Sequence, residues 1–327
     1  MYAGIKKMSS NILVIGKVAY KLKFTIFSDF KTFTESNTLQ AGEAKREFDG
    51  MASNIVYGLT VLGSSPTLTS IVGKDFEWDL KPYFEQLGVK LKLFHDSDRE
   101  TACNFHLKDE KDQYIRVQQN NCYNYLAEQS INGIVPPKLL DQFSVIFVGT
   151  GKVEADVKFL NYLHESNKGI PIVYSPDGNI REVSQWRFSQ ILEKVSMFVC
   201  EETELQLLEE KAKVTRSDFF QKYPHLKYII SLVNRSKVIV HAKNMNIKVT
   251  EGPITDEISK EGWQDAFRAG LIFGVSKRKP IDETAKLAAS LASYFVESQG
   301  HHKYSPSVEQ VQLRAFEVRT IKKEIKN

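Results

Sequence analysis

What limits this chain to few folds is its rhythm after residue 143. "FSVIFVGTG" is a short apolar run closing on glycines, and "VKFLNYLHESNKG" follows with apolar residues at helical spacing. "IPIVYSPDG", "ILEKVSMFVCEETELQLLEEK" and "KYIISLVNRSKVIVHA" continue the strand–helix alternation. Such alternation predicts a mostly parallel sheet joined by right-handed crossovers.

The first half fits the same plan. "NILVIGKVAY" (11–20) is an apolar run passing Gly16, suited to a buried first strand. "MASNIVYGLTVLG" has helical spacing and stops at Gly63, "PTLTSIVGKD" reads as strand and turn, and "FEWDLKPYFEQLG" as a helix closing on Gly88. Residues 21–48 form no obvious core element, and 89–120 alternate like a strand pair or small sheet. The last third is helical in "DAFRAGLIFGVSK" and "DETAKLAASLASYFVESQG", and the basic tail "LRAFEVRTIKKEIKN" is expected to form a terminal helix. No linker divides the chain, so one domain is expected over 11–320, with tails at 1–10 and 321–327.

A net charge of +4 falls short of a nucleic-acid-binding footprint. Cys103, Cys122 and Cys200 are scattered without metal-ligand spacing, and there is no stretch of 18 apolar residues. A reduced, cytoplasmic protein without membrane contact is the expectation. His301 and His302 read as a polar helix end, and no metal site is expected. Ligands of open α/β sheets collect beyond the carboxyl ends of strands, where Gly16, Gly149–Gly151, "SPDG" at 175–178 and the turn at Gly262 fall.

Six landmarks occur in order: "VIGKVAY", "DGMASNIVYGLTVLG", "SIVGKDF", "FVCEETELQLL", "EGWQDAFRAG" and "LASYFVESQG…YSPSVEQV". Their order and spacing resemble the ribokinase/PfkB family of sugar and nucleoside kinases, in its adenosine-kinase-like and archaeal branch, over 11–320. The resemblance implies a ribokinase-like α/β fold: a central, mostly parallel sheet flanked by helices, with a small β-lid built from 17–47 and 90–120. It places ATP on the large domain and the acceptor under the lid. It assigns Asp265 as general base and Gly262, Trp263 and Gln264 to the turn whose backbone N–H groups face the transferring phosphoryl group. Lys21, Asp49, Gly50 and Asn54 fall at the acceptor, and Glu201, Glu204, Ser231, Val233 and Ser236 on the nucleotide and magnesium side.

Several of these positions depart from the family pattern in one direction. The acceptor aspartate becomes Lys21, a donor-only cation, and the first glycine of a Gly-Gly pair becomes Asp49. Val233 and Ser236 replace nucleotide-strand glycines, and Glu201 replaces asparagine. Trp263 and Gln264 occupy a turn where glycine permits close approach to phosphate, and Trp263 is expected to pack into a cleft left vacant by nucleotide. The leading expectation is a pseudokinase kept as a binding or scaffolding module, without cofactor, for a protein or ribonucleoprotein partner. The alternative is an active, divergent nucleoside or sugar kinase using ATP, Mg²⁺ and Asp265. A third is a sensor that binds a nucleoside or nucleotide without catalysis. The family resemblance also implies a homodimer through the lid.

Overall fold

The computed structural model describes residues 11–31, 40–166, 169–176, 178, 180, 183–216, 218–259 and 261–325. Asp177 of "SPDG", Lys260, residues 32–39 of the expected lid and the tail residues 1–10, 326 and 327 lie outside these.

The chain opens with β1 (Ile12–Gly16), β2 (Ala19–Thr25), β3 (Lys45–Asp49) and α1 (Met51–Val61). Then come β4 (Thr67–Thr69), β5 (Ile71–Gly73), α2 (Leu80–Gln86), β6 (Lys90–Leu91), β7 (Phe94–Asp96), β8 (Ala102–Lys108) and β9 (Tyr114–Gln119). After two 3-10 segments and the short α3 (Pro137–Leu140), the expected alternation begins. It runs β10 (Val145–Gly149), α4 (Val153–Ser166), β11 (Ile172–Tyr174), α5 (Gln185–Leu192), β12 (Met197–Glu201), α6 (Glu202–Ala212), α7 (Asp218–Lys222) and β13 (Tyr228–Asn234). The chain ends in β14 (Lys237–Ala242), β15 (Met245–Val249), α8 (Trp263–Ser276), α9 (Ile281–Val296), α10 (Val308–Glu317) and β16 (Thr320–Glu324).

Ten strands form the main sheet in the order β16-β15-β14-β13-β12-β11-β10-β1-β4-β6. Pairing is parallel from β13 to β6 and antiparallel from β13 to β16. The apolar runs are explained by burial on both faces. In β1, Ile12 and Val14 join Phe267, Leu271 and Phe295 in one core, while Leu13 and Ile15 join Phe159, Leu163 and Ile191 in the other. Each such side chain removed from water contributes about 1.5–3 kcal/mol, so two continuous cores hold helices on both sides of the sheet. Among the described residues, no helix is long and apolar enough to cross a membrane.

A second, four-stranded sheet runs β3-β2-β8-β9, and β5 pairs with β7 alone. Two expectations change here. The tail is a helix only through Glu317; Thr320–Glu324 then pairs antiparallel with β15, because an open sheet edge offers the backbone partners that a short exposed helix lacks. The lid span also changes: residues 21–48, read as lacking a core element, do supply β2 and β3 of the small sheet, but Lys90–Leu91 and Phe94–Asp96, inside the span expected for the lid, pair with β4 and β5.

Candidate functional site

Two helix N-termini meet beyond the carboxyl ends of the parallel strands. α1 starts after Gly50, whose φ is +98°, and a Cβ there would lie 2.5 Å from the Lys17 carbonyl oxygen. That carbonyl accepts from Ala52 N–H at 3.1 Å, so the glycine lets the β1–β2 turn cap the helix. α8 starts after Gly262, at φ +95°, where a Cβ would lie 2.6 Å from His301 Nε2. Both positions demand glycine on dihedral and steric grounds.

Between them lies a chain of charged and amide groups. Asn54 Nδ2 donates to Asp265 Oδ2 at 2.8 Å and to Asp49 Oδ1 at 3.3 Å. Asp265 Oδ1 accepts from Arg268 Nη1 at 2.9 Å, and Arg268 Nε donates to Ser175 Oγ at 3.0 Å. Asp49 takes a further hydrogen bond from Asn104 Nδ2 (2.9 Å) and lies 3.3 Å from the Lys21 ammonium. Burial opposes ionisation of Asp49, but Lys21, His301 and the Asn104 bond outweigh it and hold its carboxyl far below the usual carboxylate range. Lys17, also buried, donates to Asn120 Oδ1 at 2.8 Å and lies over the Tyr123 ring.

His301 and His302 are not the polar helix end expected from the sequence. His302 stacks between Tyr57 (4.6 Å, 6°) and Tyr83 (5.5 Å, 17°). Asn54 spends its N–H groups on carboxylates, so its Oδ1 accepts from His302 Nε2–H at 3.2 Å, and His302 Nδ1 accepts from the Tyr83 hydroxyl at 2.8 Å. Burial, with the neighbouring His301, pushes the His302 imidazole down to about 3. His301 packs on Phe295, and burial lowers it as well. The pair was illegible because Asn54 lies 248 residues away in sequence. Arg268 was also missed, although its i+3 spacing from Asp265 on a helix is a readable signal.

A cavity of about 600 Å³ opens beside Asp265, lined among others by Glu201, Glu204, Glu210, Gly262, Gln264 and Arg268. Trp263 does not fill it, contrary to expectation. Its ring is buried edge-on to Phe267, 6.3 Å away, because the first turn of α8 directs it into the apolar core between sheet and helix. Glu201 and Glu204 line the cavity and also form the capping box of α6, with Glu204 Oε2 accepting from Glu201 N–H at 2.8 Å. Ser231, Val233 and Ser236 are not among the lining residues. Ser231 is buried and donates to Glu202, Val233 lies at an irregular step of the β13–β14 pairing, and Ser236 bonds Asn234 Oδ1 at 2.9 Å. Four carboxylates and one guanidinium line the cavity, so a polyphosphate would fit there only with divalent cations to offset the repulsion.

A curated nucleoside kinase of Methanocaldococcus jannaschii is 22% identical over 303 residues, covering 92% of this chain and 95% of that protein. The crystal structure of the Methanocaldococcus jannaschii nucleoside kinase superposes with a TM-score of 0.84 at 20% identity, covering 94% and 98% of the two chains. Burkholderia thailandensis nucleoside kinase in complex with inosine gives 0.75 at 17% (93% and 96%), and Arabidopsis thaliana ribokinase with ribose and ATP gives 0.77 at 14% (94% and 99%). These likenesses show a ribokinase-like fold. Residues 9–307 match the pfkB family carbohydrate kinase model, and the chain therefore belongs to that family.

Proposed function

We propose that this chain is a ribokinase-fold binding module that has lost phosphotransfer. The observation that carries the reading is the state of Asp265: one oxygen is held by Arg268 and the other by Asn54, leaving the carboxylate tied to a guanidinium where a general base must take a proton. The Lys21–Asp49 pair at the acceptor position supports the same view, since the two groups satisfy each other. The test is transfer of labelled phosphate from Mg–ATP to a panel of nucleosides and sugars. No product above that of Asp265→Asn is expected. Turnover by the parent chain that Asp265→Asn abolishes would establish the kinase instead. One observation favours that second reading: the cleft beside Asp265 is open, so Mg–ATP has room to approach through Glu201 and Glu204.

The module is further proposed to act as a homodimer through the small sheet. Strand register puts Leu22, Phe105 and Val117 in one row on its outer face, and Phe24, Leu107 and Ile115 in the next. Val117 is 50% and Ile115 44% exposed, an apolar surface at a free edge strand. Antiparallel pairing of two β9 edges about Val117 places Arg116 opposite Gln118, so no like charges meet. Light scattering should report a dimer, and Ile115→Lys with Val117→Lys should weaken it about 100-fold or more. A monomeric parent chain at micromolar concentration would defeat this.

A further inference from the structure

The helical layer on one side of the main sheet stops short of its edge. α4, α5, α6 and α7 share a core with β1 and β10–β13 that reaches Ile229 of β13 and no strand beyond it. On the same face β14, β15 and β16 continue without a helix. Register sets His241 opposite Ile229, with Asn246 and Lys323 following in that row, and Ile239, Lys248 and Ile321 in the next. Ile239 is half-buried, Ile321 is 60% exposed, and neither belongs to a core. A sheet face with apolar side chains of this kind calls for a covering element.

The uncovered face also carries charge of one sign. Lys237 precedes Ile239 on it, and Lys237, Lys248 and Lys323 fall on a diagonal across the three strands, each about 7–8 Å from the next. Among the described residues, none of the three ammonium groups has a carboxylate partner. Lys322 differs: it alternates to the other face and pairs with Asp282. Beside Lys323 the diagonal ends at a groove of about 620 Å³, with Phe220, Ala242 and Ile325 among its walls. The carboxylates behind it are committed, since Glu202 and Glu209 hold Arg216 and Asp218 accepts from Thr215. Glu324, at the rim, is the one carboxylate among the described residues that line the groove.

We propose that this face docks an acidic amphipathic helix of another protein, lying beside α6 and α7 as the next member of their layer. Its apolar side chains meet Ile239, Ile321 and the groove, and its carboxylates meet Lys237, Lys248 and Lys323. Phosphates would be drawn to the same lysines, but nucleic-acid bases need aromatic platforms, which the isoleucines do not provide, and the His241 ring is buried. None of these residues lines the cleft beside Asp265, so the inference holds whether or not the chain transfers phosphate.

The intact protein is titrated with a fluorescein-labelled synthetic helix of about 20 residues, leucine along one face and glutamate along the other, and binding is followed by anisotropy. Polyglutamate and oligouridylate of equal length control for charge alone and for nucleic acid. At about 0.15 M salt the helix should bind with Kd below about 100 μM, and about tenfold or more tighter than either control. The variant Lys237→Gln/Lys248→Gln/Lys323→Gln should weaken it about tenfold or more and flatten its salt dependence. Ile321→Ser should weaken the helix about threefold or more and leave polyglutamate unchanged. Lys248, Ile321 and Lys323 are exposed and Lys237 half-buried, so both variants keep the core intact. Oligouridylate binding as tightly as the helix would make this a nucleic-acid face, and polyglutamate binding as tightly would reduce it to a patch of charge. Either result, a helix Kd above about 100 μM, or helix binding that neither variant weakens would overturn the proposal.

Discussion

Asp265→Ala should destabilise the fold by roughly 3–5 kcal/mol, the cost of stranding one partner of a buried ion pair. Arg268 is only 7% exposed, and its guanidinium is held by Asp265 at 2.9 Å and by Ser175 at 3.0 Å. Without the carboxylate, a buried cation keeps one neutral hydroxyl, and Asn54 loses its shorter acceptor. A catalytic base kept free for substrate would carry no such structural role, and its removal would cost about 1 kcal/mol or less. The double variant Asp265→Ala/Arg268→Met should recover more than half of the loss, because the stranded charge leaves with its partner. Urea unfolding of the parent, the two single variants and the double variant measures this. A loss below about 1 kcal/mol for Asp265→Ala, or none recovered in the double variant, would mean that the ion pair has no structural role and that Asp265 is free to serve as a base.

Most of the architecture could be read from residue patterns because its strands are buried on both faces. "VIFVG" and "MFVCE" have few other places to go than the middle of a sheet. β2 and β3 stood out less. "AYKLKFT" alternates Tyr20, Leu22 and Phe24 with polar residues, as a strand with one apolar and one charged face should. It is only partly buried and gives no core element, and "KREFD" carries a single apolar side chain. Aligned motif positions located Asp265, Gly262 and Asn54, which the fold does bring together. They could not say where a side chain points. Trp263 occupies a phosphate-facing position in the motif yet turns into the core, and Ser231 bonds Glu202 away from the cleft. The histidines entered unannounced, since only tertiary packing slots His302 between Tyr57 and Tyr83.

That slot makes the fold sensitive to acid. His302 has its imidazole pushed down to about 3 by burial, against about 6.5 in an unfolded chain. Between those values the unfolded state binds the proton and the folded state does not. Stability is therefore complete above about pH 6.5 and falls by up to about 1.4 kcal/mol per unit as pH drops towards 3. His302 is only partly buried, so its share is roughly 2–4 kcal/mol after allowance for solvent screening. His106, His241 and His301 are also lowered, burial being the first cause in each, and they add to the slope in the same direction. Asp49 acts in a separate window. Its depressed carboxyl contributes stability above the ordinary carboxylate value near 3.9, and that contribution is lost only below it. Unfolding midpoints measured in steps from about pH 7.5 to about pH 4.5 thus isolate the histidines from the carboxylate. His302→Phe keeps a ring between the two tyrosines but cannot take a proton, so it should flatten the acid slope even though it sacrifices two hydrogen bonds at neutral pH. A parent chain with constant stability across that interval, or a variant with an unchanged slope, would show that the imidazole protonates without leaving its slot.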